Sequence, residues 1–547
     1  MGTLGRWGRA HFHPIALALL LALVFGPHLR GEWVWDDVYL IEQNRHLEAV
    51  GGLAFLLSHD LWGGAGQAAS DLYHPIPVAL LWAVTRLAGR SLFALRLVNV
   101  LLHGAANLLF AAWLRRWGFS ARAATWTALL LAVHPLVTEP VMWITGSHDL
   151  LATLGCLTAL LLWPRSQDAN PVARVLLSSM ATAWAALCKE AYFVFPLLLV
   201  LAALVDDADA RRPVRIARLA GPWAALGVVL AIRRWVGVPT HSAELGASIG
   251  SHLTTFATIA FHYLEHAATF TNAPTTESFR RLAPWEAGLV LAGLAAVTVL
   301  FIVRLRRGVI GVASRAPKTS GPTSVALLGW GWFLLGLAPH MVSLPIIGMY
   351  GNRYAYFPMM GLAASLLGVG LGLHLPGRLA ALLPRIAPVL LPAVVGLAAL
   401  FTAGEASLWR DEPTLFGADL RSDPQDARAL YHYGHAIVGR DGCAEALPYF
   451  ESATRNEPSY GRAWHNAAGC LVNLGRYREA LPAALTAWKL QPNDAGAAYN
   501  LAVVELATGH PEQGVSLLQA ALHIDPQHAG ARRLAEQLAT PVAPSSP

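Results

Sequence analysis

The sequence predicts an all-α, polytopic membrane protein that ends in a superhelix of helical repeats. Three observations carry this reading. The 547 residues are 55% hydrophobic and 14% charged, against roughly 25% charged in a soluble domain. Apolar runs of spanning length recur up to about residue 404. Beyond that point prolines return every 34 residues, at Pro424, Pro458, Pro492 and Pro526.

The apolar runs predict eleven spans. Arg6 and Arg9 precede the first, Ile15 to Phe25, and no small-x-small cleavage site follows it. It therefore reads as an uncleaved span with a cytoplasmic N-terminus. Ten more lie near 95–114, 121–138, 149–163, 172–188, 191–205, 216–232, 285–303, 323–340, 355–373 and 383–402. Eleven spans starting inside put 18 basic residues on cytoplasmic segments and six in short outer loops. That asymmetry follows the positive-inside rule. The apolar stretch 252–272 would invert the later loops if counted, so it reads as interfacial or re-entrant. An odd number of spans leaves the C-terminal part outside.

Charge divides at the same place. Residues 1–404 carry 29 Lys+Arg and 18 Asp+Glu, a net of +11; residues 405–547 carry 11 and 16, a net of −5. The basic balance thus belongs to membrane loops and excludes a nucleic-acid-binding reading. The 19 Trp suit membrane interfaces. Three Lys against 37 Arg point to a GC-rich bacterial genome and so to a bacterial cytoplasmic (inner) membrane.

The last part repeats in more than its prolines. Tyr431/His465/Tyr499, Gly434/Ala468/Ala502, Ala446/Ala480/Gly514 and Ala453/Ala487/Ala521 keep the 34-residue spacing. Small residues where two helices touch, with Pro ending the second, form the tetratricopeptide signature. The domain reading is 1–404 membrane domain, 405–426 linker helix, 427–538 three repeats and 539–547 a Pro- and Ser-rich disordered tail. Stacked repeats form a concave face that binds peptide, so a protein or peptide partner is expected there. None of the four cysteines has zinc-type spacing. Cys156 and Cys188 lie in apolar runs, whereas Cys443 and Cys470 could pair as a disulfide in an oxidising compartment.

Polar residues gather on one side of these spans. The first outer loop opens Trp33-Val34-Trp35-Asp36-Asp37. Adjacent carboxylates beside lipid are costly. They suit a general base of raised pKa, a cation site, or the start of a solvated loop within an aromatic belt. Tyr73-His74, His134, Glu139, His148-Asp149, Lys189-Glu190 and Asn352-Arg353-Tyr354 all fall at outward-facing span ends. One such cluster would read as capping or snorkelling. Six on one side predict a shared polar cavity in which Arg and Lys hold a phosphate.

In order along the chain these segments carry a resemblance. They are Val34-Trp35-Asp36-Asp37, Asn99 and His103, Val133-His134-Pro135, Thr138-Glu139-Pro140-Val141, Trp143-Ile144-Thr145-Gly146, Asp149-Leu150-Leu151-Ala152, Lys189-Glu190 and Arg353-Tyr354-Ala355-Tyr356-Phe357-Pro358, followed by the repeats. The chain resembles the transmembrane and tetratricopeptide-repeat (TMTC-like) family. That family is similar to GT-C glycosyltransferases, which include protein O-mannosyltransferases.

The resemblance implies a GT-C-like membrane domain and a polyprenyl-phosphate sugar as donor. It implies transfer of a mannose-like hexose to a hydroxyl acceptor, on protein, at the extracytoplasmic side. It assigns the catalytic base to Asp36, with Asp37 beside it, and the donor phosphate to Arg353. Tyr354, His74, His134, Glu139, His148, Asp149, Lys189 and Glu190 complete the expected donor site. The chain departs from the family pattern at His74 and His148, where Arg is usual, and at Asn352, where an acid is usual. No metal site is expected among these residues, and the metal requirement stays open. The rival reading is a non-catalytic membrane scaffold whose repeats recruit envelope proteins. A scaffold has no need of Asp36 or of the polar cluster around it.

Overall fold

The computed structural model describes residues 2–65, 70–164, 170–206, 212–238, 248–272, 275, 281–310, 322–342, 350–372 and 377–539. Regular structure among them is helical throughout. Among the described residues eight helices are long and apolar enough to cross a membrane: Leu92–Arg116, Ile144–Leu162, Pro171–Cys188, Arg218–Val236, Pro284–Arg304, Pro322–Val342, Asn352–Gly372 and Ala381–Leu408. The expected first and sixth spans fall on shorter apolar helices, Pro14–His28 and Glu190–Val205. The expected span 121–138 is a helix only over Ala121–Ala132, and short turns follow over Pro135–Val137 and Thr138–Met142. Pro135 accounts for the break, because it lacks an N–H and disfavours helix in the residue before it, His134, which is extended. The eleven-span count is therefore not established by length and composition.

The stretch 252–272 forms the helix Ile249–Thr269, which is not among the eight. Arg165, Arg211, Arg280, Arg315 and Lys318, used in the charge count, lie outside the described residues, as does the tail from residue 540.

The membrane helices start where the chain supplies an acceptor. Ser91, Ser120 and Asn170 take backbone N–H groups of the first turns of Leu92–Arg116, Ala121–Ala132 and Pro171–Cys188. Small residues then let helices close on one another. A Cβ on Gly329 would lie 2.5 Å from the Gly361 carbonyl oxygen, and one on Gly361 2.7 Å from that of Gly329. Ser365 donates to the Ala326 carbonyl across the same contact, at 2.9 Å. Arg96, 1% exposed, ties the loop after the first helix to the end of the last membrane helix. It donates to the carbonyls of His28, Arg30, Glu32 and Trp409 at 2.7 to 3.3 Å.

The chain divides into two compact units, the first ending at Asp411 and the second starting at Glu412, with Thr275 belonging to the second. The second unit holds three helix pairs: Ala427–Asp441 with Cys443–Asn456, Gly461–Asn473 with Tyr477–Leu490, and Ala495–Ala507 with Pro511–Ile524. Each Pro of the 34-residue series stands just past a helix end. Asp426 and Asp494 cap the helices that follow them. The small-residue columns are buried, Ala446, Ala453, Ala468, Ala480, Ala502 and Ala521 completely. Cys443 and Cys470, a prospective disulfide, are free thiols in contact with each other. Asn473 also reaches Cys443, at 3.7 Å.

Candidate active site

The polar span ends meet in one connected network. Its first part forms around the loop after the first helix. Trp35 adopts a φ of +62°, a region that costs a bulky residue roughly 1–3 kcal/mol and that clusters at functional sites. That turn lays its ring on Trp143, with centroids 5.6 Å apart. Asp37 is buried and anchors the chain beyond Trp143. Its Oδ1 accepts the Thr145 N–H at 3.0 Å and the Thr145 hydroxyl at 2.5 Å, and its Oδ2 accepts the Ile144 N–H at 3.2 Å. Burial lifts the Asp37 carboxyl to about 7, although these hydrogen bonds pull the other way. Asp36 is half-buried. The two adjacent acids are therefore in different environments.

Arg353 lies beyond the two indoles, 5.7 Å from the Trp35 ring and 4.9 Å from that of Trp143. It pairs with Glu139 and donates to the Tyr354 hydroxyl at 2.9 Å. Glu139 also accepts the Asn352 N–H at 2.6 Å. The interrupted span makes this arrangement, because the turns after Ala132 carry Glu139 into the interior.

The network continues through Tyr354. The Lys189 ammonium stands 5.2 Å from that ring and bonds both oxygens of Asp149, at 2.7 and 2.9 Å. His148, next to Asp149, meets His74 with Nδ1 to Nδ1 at 3.2 Å. The other nitrogen of His74 bonds Glu190 at 2.6 Å, and Glu190 also pairs with Arg233 and accepts the Tyr73 N–H. Nε2 of His148 is buried without a hydrogen-bond partner.

The structure thus joins Asp37, Glu139, His74, His148, Asp149, Lys189, Glu190, Arg353 and Tyr354, with Asp36 adjoining Asp37. His134 stands apart from these. Its ring lies 4.8 Å from Phe270 and its Nε2 is 3.3 Å from the Ala267 carbonyl oxygen. It lines an apolar groove of about 680 Å³ between Ala121–Ala132, the end of Ile249–Thr269, Tyr356–Gly372 and Gly377–Leu408. A second cavity, of about 20 Å³, reaches Asp149, Tyr354 and His340.

Sequence reasoning missed the parts played by Arg233, Thr145 and His340. Arg233 is by sequence one of the six basic residues of the short outer loops, and Thr145 is neutral. His340, whose ring is 4.3 Å from that of Tyr354, lies in an apolar run with no acid beside it. Among the described residues no group of three or more His, Cys, Asp or Glu is placed to hold a metal ion.

Residues 73–235 match the dolichyl-phosphate-mannose-protein mannosyltransferase family, and residues 435–488 and 475–538 match tetratricopeptide repeats. The chain carries a mannosyltransferase-family segment joined to tetratricopeptide repeats. With its apolar helices this makes it an integral membrane protein. The matched segment contains His74, Glu139, His148, Asp149, Lys189, Glu190 and Arg233; Asp36, Asp37 and Arg353 lie outside it.

Relatives bear the name protein O-mannosyl-transferase. Mouse TMTC1 is 36% identical over 163 residues, covering 28% of this chain and 17% of the relative. Human TMTC4 is 31% identical over 183 residues, covering 29% and 25%. Mouse TMTC3 is 24% identical over 501 residues, covering 82% and 52%. The matched part therefore spans about half of the length of TMTC3 and a quarter or less of the others. Among solved structures, MamA of Desulfovibrio magneticus RS-1 matches at 22% identity over 24% of this chain and 72% of that one. Its TM-score of 0.21 is too low to carry an argument.

Proposed function

We propose that this protein is a membrane glycosyltransferase that moves a mannose-like hexose from a polyprenyl-phosphate donor to a hydroxyl of a protein acceptor. The reaction takes place on the extracytoplasmic side of a bacterial cytoplasmic membrane, with the N-terminus in the cytoplasm. The observation that carries the proposal is the connected network of acids, cations and aromatic rings at the span ends, beginning at Trp35, Asp36 and Asp37.

In this reaction the Asp36 carboxylate takes the proton of the acceptor hydroxyl. The acceptor oxygen bonds to the anomeric carbon of the sugar as the bond from that carbon to the phosphate oxygen breaks. The bonding pair leaves with the polyprenyl phosphate. Arg353 and Lys189 supply positive charge, and the His74–His148 pair an N–H donor, for that developing anion. Asp37 fixes the loop that presents Asp36. The apolar groove that His134 lines takes the isoprenoid chain, whose hydrocarbon suits its walls.

The test is transfer by purified, liposome-reconstituted protein given polyprenyl-phosphate sugars and peptides, read by mass spectrometry. Asp36→Asn should lower the rate by about 10²–10⁴ with expression and insertion intact, and Asp37→Asn should lower it less. Near-normal transfer by Asp36→Asn removes Asp36 as base. No transfer by the wild type with any lipid donor favours the scaffold reading.

A further inference from the structure

Among the described residues two other than glycine have a positive φ, Trp35 and Phe270. Phe270 has a local reason. It closes the helix Ile249–Thr269 in the left-handed conformation, with its N–H bonded to the His266 carbonyl, as many helices end. Trp35 belongs to no helix end. The Asp37 N–H bonds the Val34 carbonyl at 3.3 Å, so Val34 to Asp37 form a turn with Trp35 at its second position. Positive φ at that position alone is the pattern of a type II′ turn, where glycine is the usual residue. An indole thus stands where the backbone favours the smallest side chain. Packing alone does not explain it, because the ring is only half-buried while Trp143 beneath it is 6% exposed. A local rule broken in this way marks a residue kept for its side chain.

The turn is braced on both sides. Before it, the Glu32 N–H bonds the Arg410 carbonyl at 2.7 Å, and the carbonyls of Arg30 and Glu32 accept from Arg96. After it, Asp37 holds Ile144 and Thr145, and the Asp36 carbonyl accepts the Leu40 N–H at 2.9 Å. The ring is therefore held in place before anything binds, as a binding surface needs to be. The Arg353 guanidinium stands 5.7 Å from its centre, and the next residue in the chain is Asp36. The indole adjoins both the candidate phosphate contact and the candidate base.

We propose that Trp35 is the platform on which the hexose of the lipid-linked donor stacks. During transfer the anomeric carbon is bonded to the phosphate on one side and approached by the acceptor hydroxyl on the other. The sugar must therefore lie where Arg353 and Asp36 are both near, and the surface there is the Trp35 ring. A pyranose presents a face of weakly positive C–H bonds, which meets the electron-rich face of an indole. Such a contact recognises the sugar ring as a whole and fixes which side of the anomeric carbon is turned to Asp36. The assignment rests on the transferase reading for the donor and the base. Sugar binding is measured without turnover, so the failure of one is distinguishable from the failure of the other.

The experiment is calorimetric binding by the full chain in detergent. Two ligands are compared, the mannosyl phosphodiester of a short polyprenol and the same polyprenyl phosphate without sugar. Trp35→Gly should bind the mannosyl lipid at least about ten-fold more weakly than wild type, and the sugar-free lipid equally well. Glycine suits the positive φ, so this variant should fold, with a melting temperature close to that of wild type. Trp35→Tyr keeps an aromatic face and should recover most of the lost affinity. Trp35→Leu is apolar without such a face and should not. Equal affinity of wild type and Trp35→Gly for the mannosyl lipid overturns the proposal. So does an equal loss for both lipids, which makes Trp35 a brace for the loop, or full recovery by Trp35→Leu, which makes it apolar packing. Sugar-dependent binding by a wild type that transfers nothing upholds the platform and removes the transferase reading.

Discussion

The two units treat charge in opposite ways. The membrane unit holds buried charges paired with partners far along the chain, as Glu139 is with Arg353 and Asp149 with Lys189. The repeat unit leaves Arg462 exposed and gives its interior to alanine and a few large side chains such as Phe450. Moving a charge out of water costs several kcal/mol, so a buried one persists only with a partner and a full set of hydrogen bonds. Single substitutions should therefore have larger effects in the membrane unit, and the effects should follow pairing rather than size.

The largest effect is expected at Arg353. Arg353→Ala leaves Glu139 buried and uncompensated, which typically costs about 3–5 kcal/mol. The loss would appear as a lower midpoint in thermal aggregation of detergent-solubilised protein. Adding Glu139→Gln should recover much of that stability, because the stranded charge is then gone. If transfer stays absent in the stabilised double variant, Arg353 has a part in the reaction besides packing. A midpoint for Arg353→Ala equal to wild type would break the contrast between the units.

Asp37 sharpens the same contrast through pH. Its carboxyl lies at about 7 in the folded protein, against 3.8 without burial. Between these values the folded state keeps a proton that the unfolded chain has released. Stability should therefore fall as pH rises from about 4 to about 7 and level off above that. Asp37→Asn should remove this part of the slope, which a series of melting curves would show as a difference from wild type. Identical pH profiles would mean that Asp37 is ionised throughout. Thr145→Val deletes the hydroxyl that Asp37 accepts at 2.5 Å. It should cost about 1.5–3 kcal/mol where Asp37 is charged. It should also move the window upward, since that hydroxyl favours the ionised form.

These expectations show what the sequence revealed and what it withheld. His74, Glu139, Asp149, Lys189, Glu190 and Arg353 were legible as candidates because a charge at the end of an apolar run needs a reason. Their partners were not. Glu139 and Arg353 are 214 residues apart, and no local period links them. By sequence Arg233 is an ordinary loop charge, and only the fold brings Glu190 beside it. Asp36 and Asp37 are the same residue type side by side, and only burial tells them apart. The third span misled for a local reason: hydropathy is blind to the break that Pro135 imposes. The repeats were more legible, since their contacts recur at a fixed spacing and each column states its own size limit.

Gly434 tests that last point, with the smallest expected effect. Its column continues with Ala468 and Ala502, so the repeat pattern alone says that alanine is tolerated there. The structure says otherwise. A Cβ on Gly434 would stand 3.0 to 3.2 Å from three atoms of the Phe450 ring, and that ring is wholly buried. The equivalents of Phe450 in the next repeats are Ala484 and Leu518, smaller residues that leave room for the alanines opposite. Gly434→Ala gains about 0.5–1 kcal/mol from helix propensity, against about 1–3 kcal/mol for forcing a methyl into a packed core. A net loss of about 1 kcal/mol is expected in thermal unfolding of the full chain. Combining it with Phe450→Leu should make the added methyl neutral or favourable relative to Phe450→Leu alone. Stabilisation by Gly434→Ala by itself would show that Phe450 yields freely, and that the column rather than the facing pair sets the size limit.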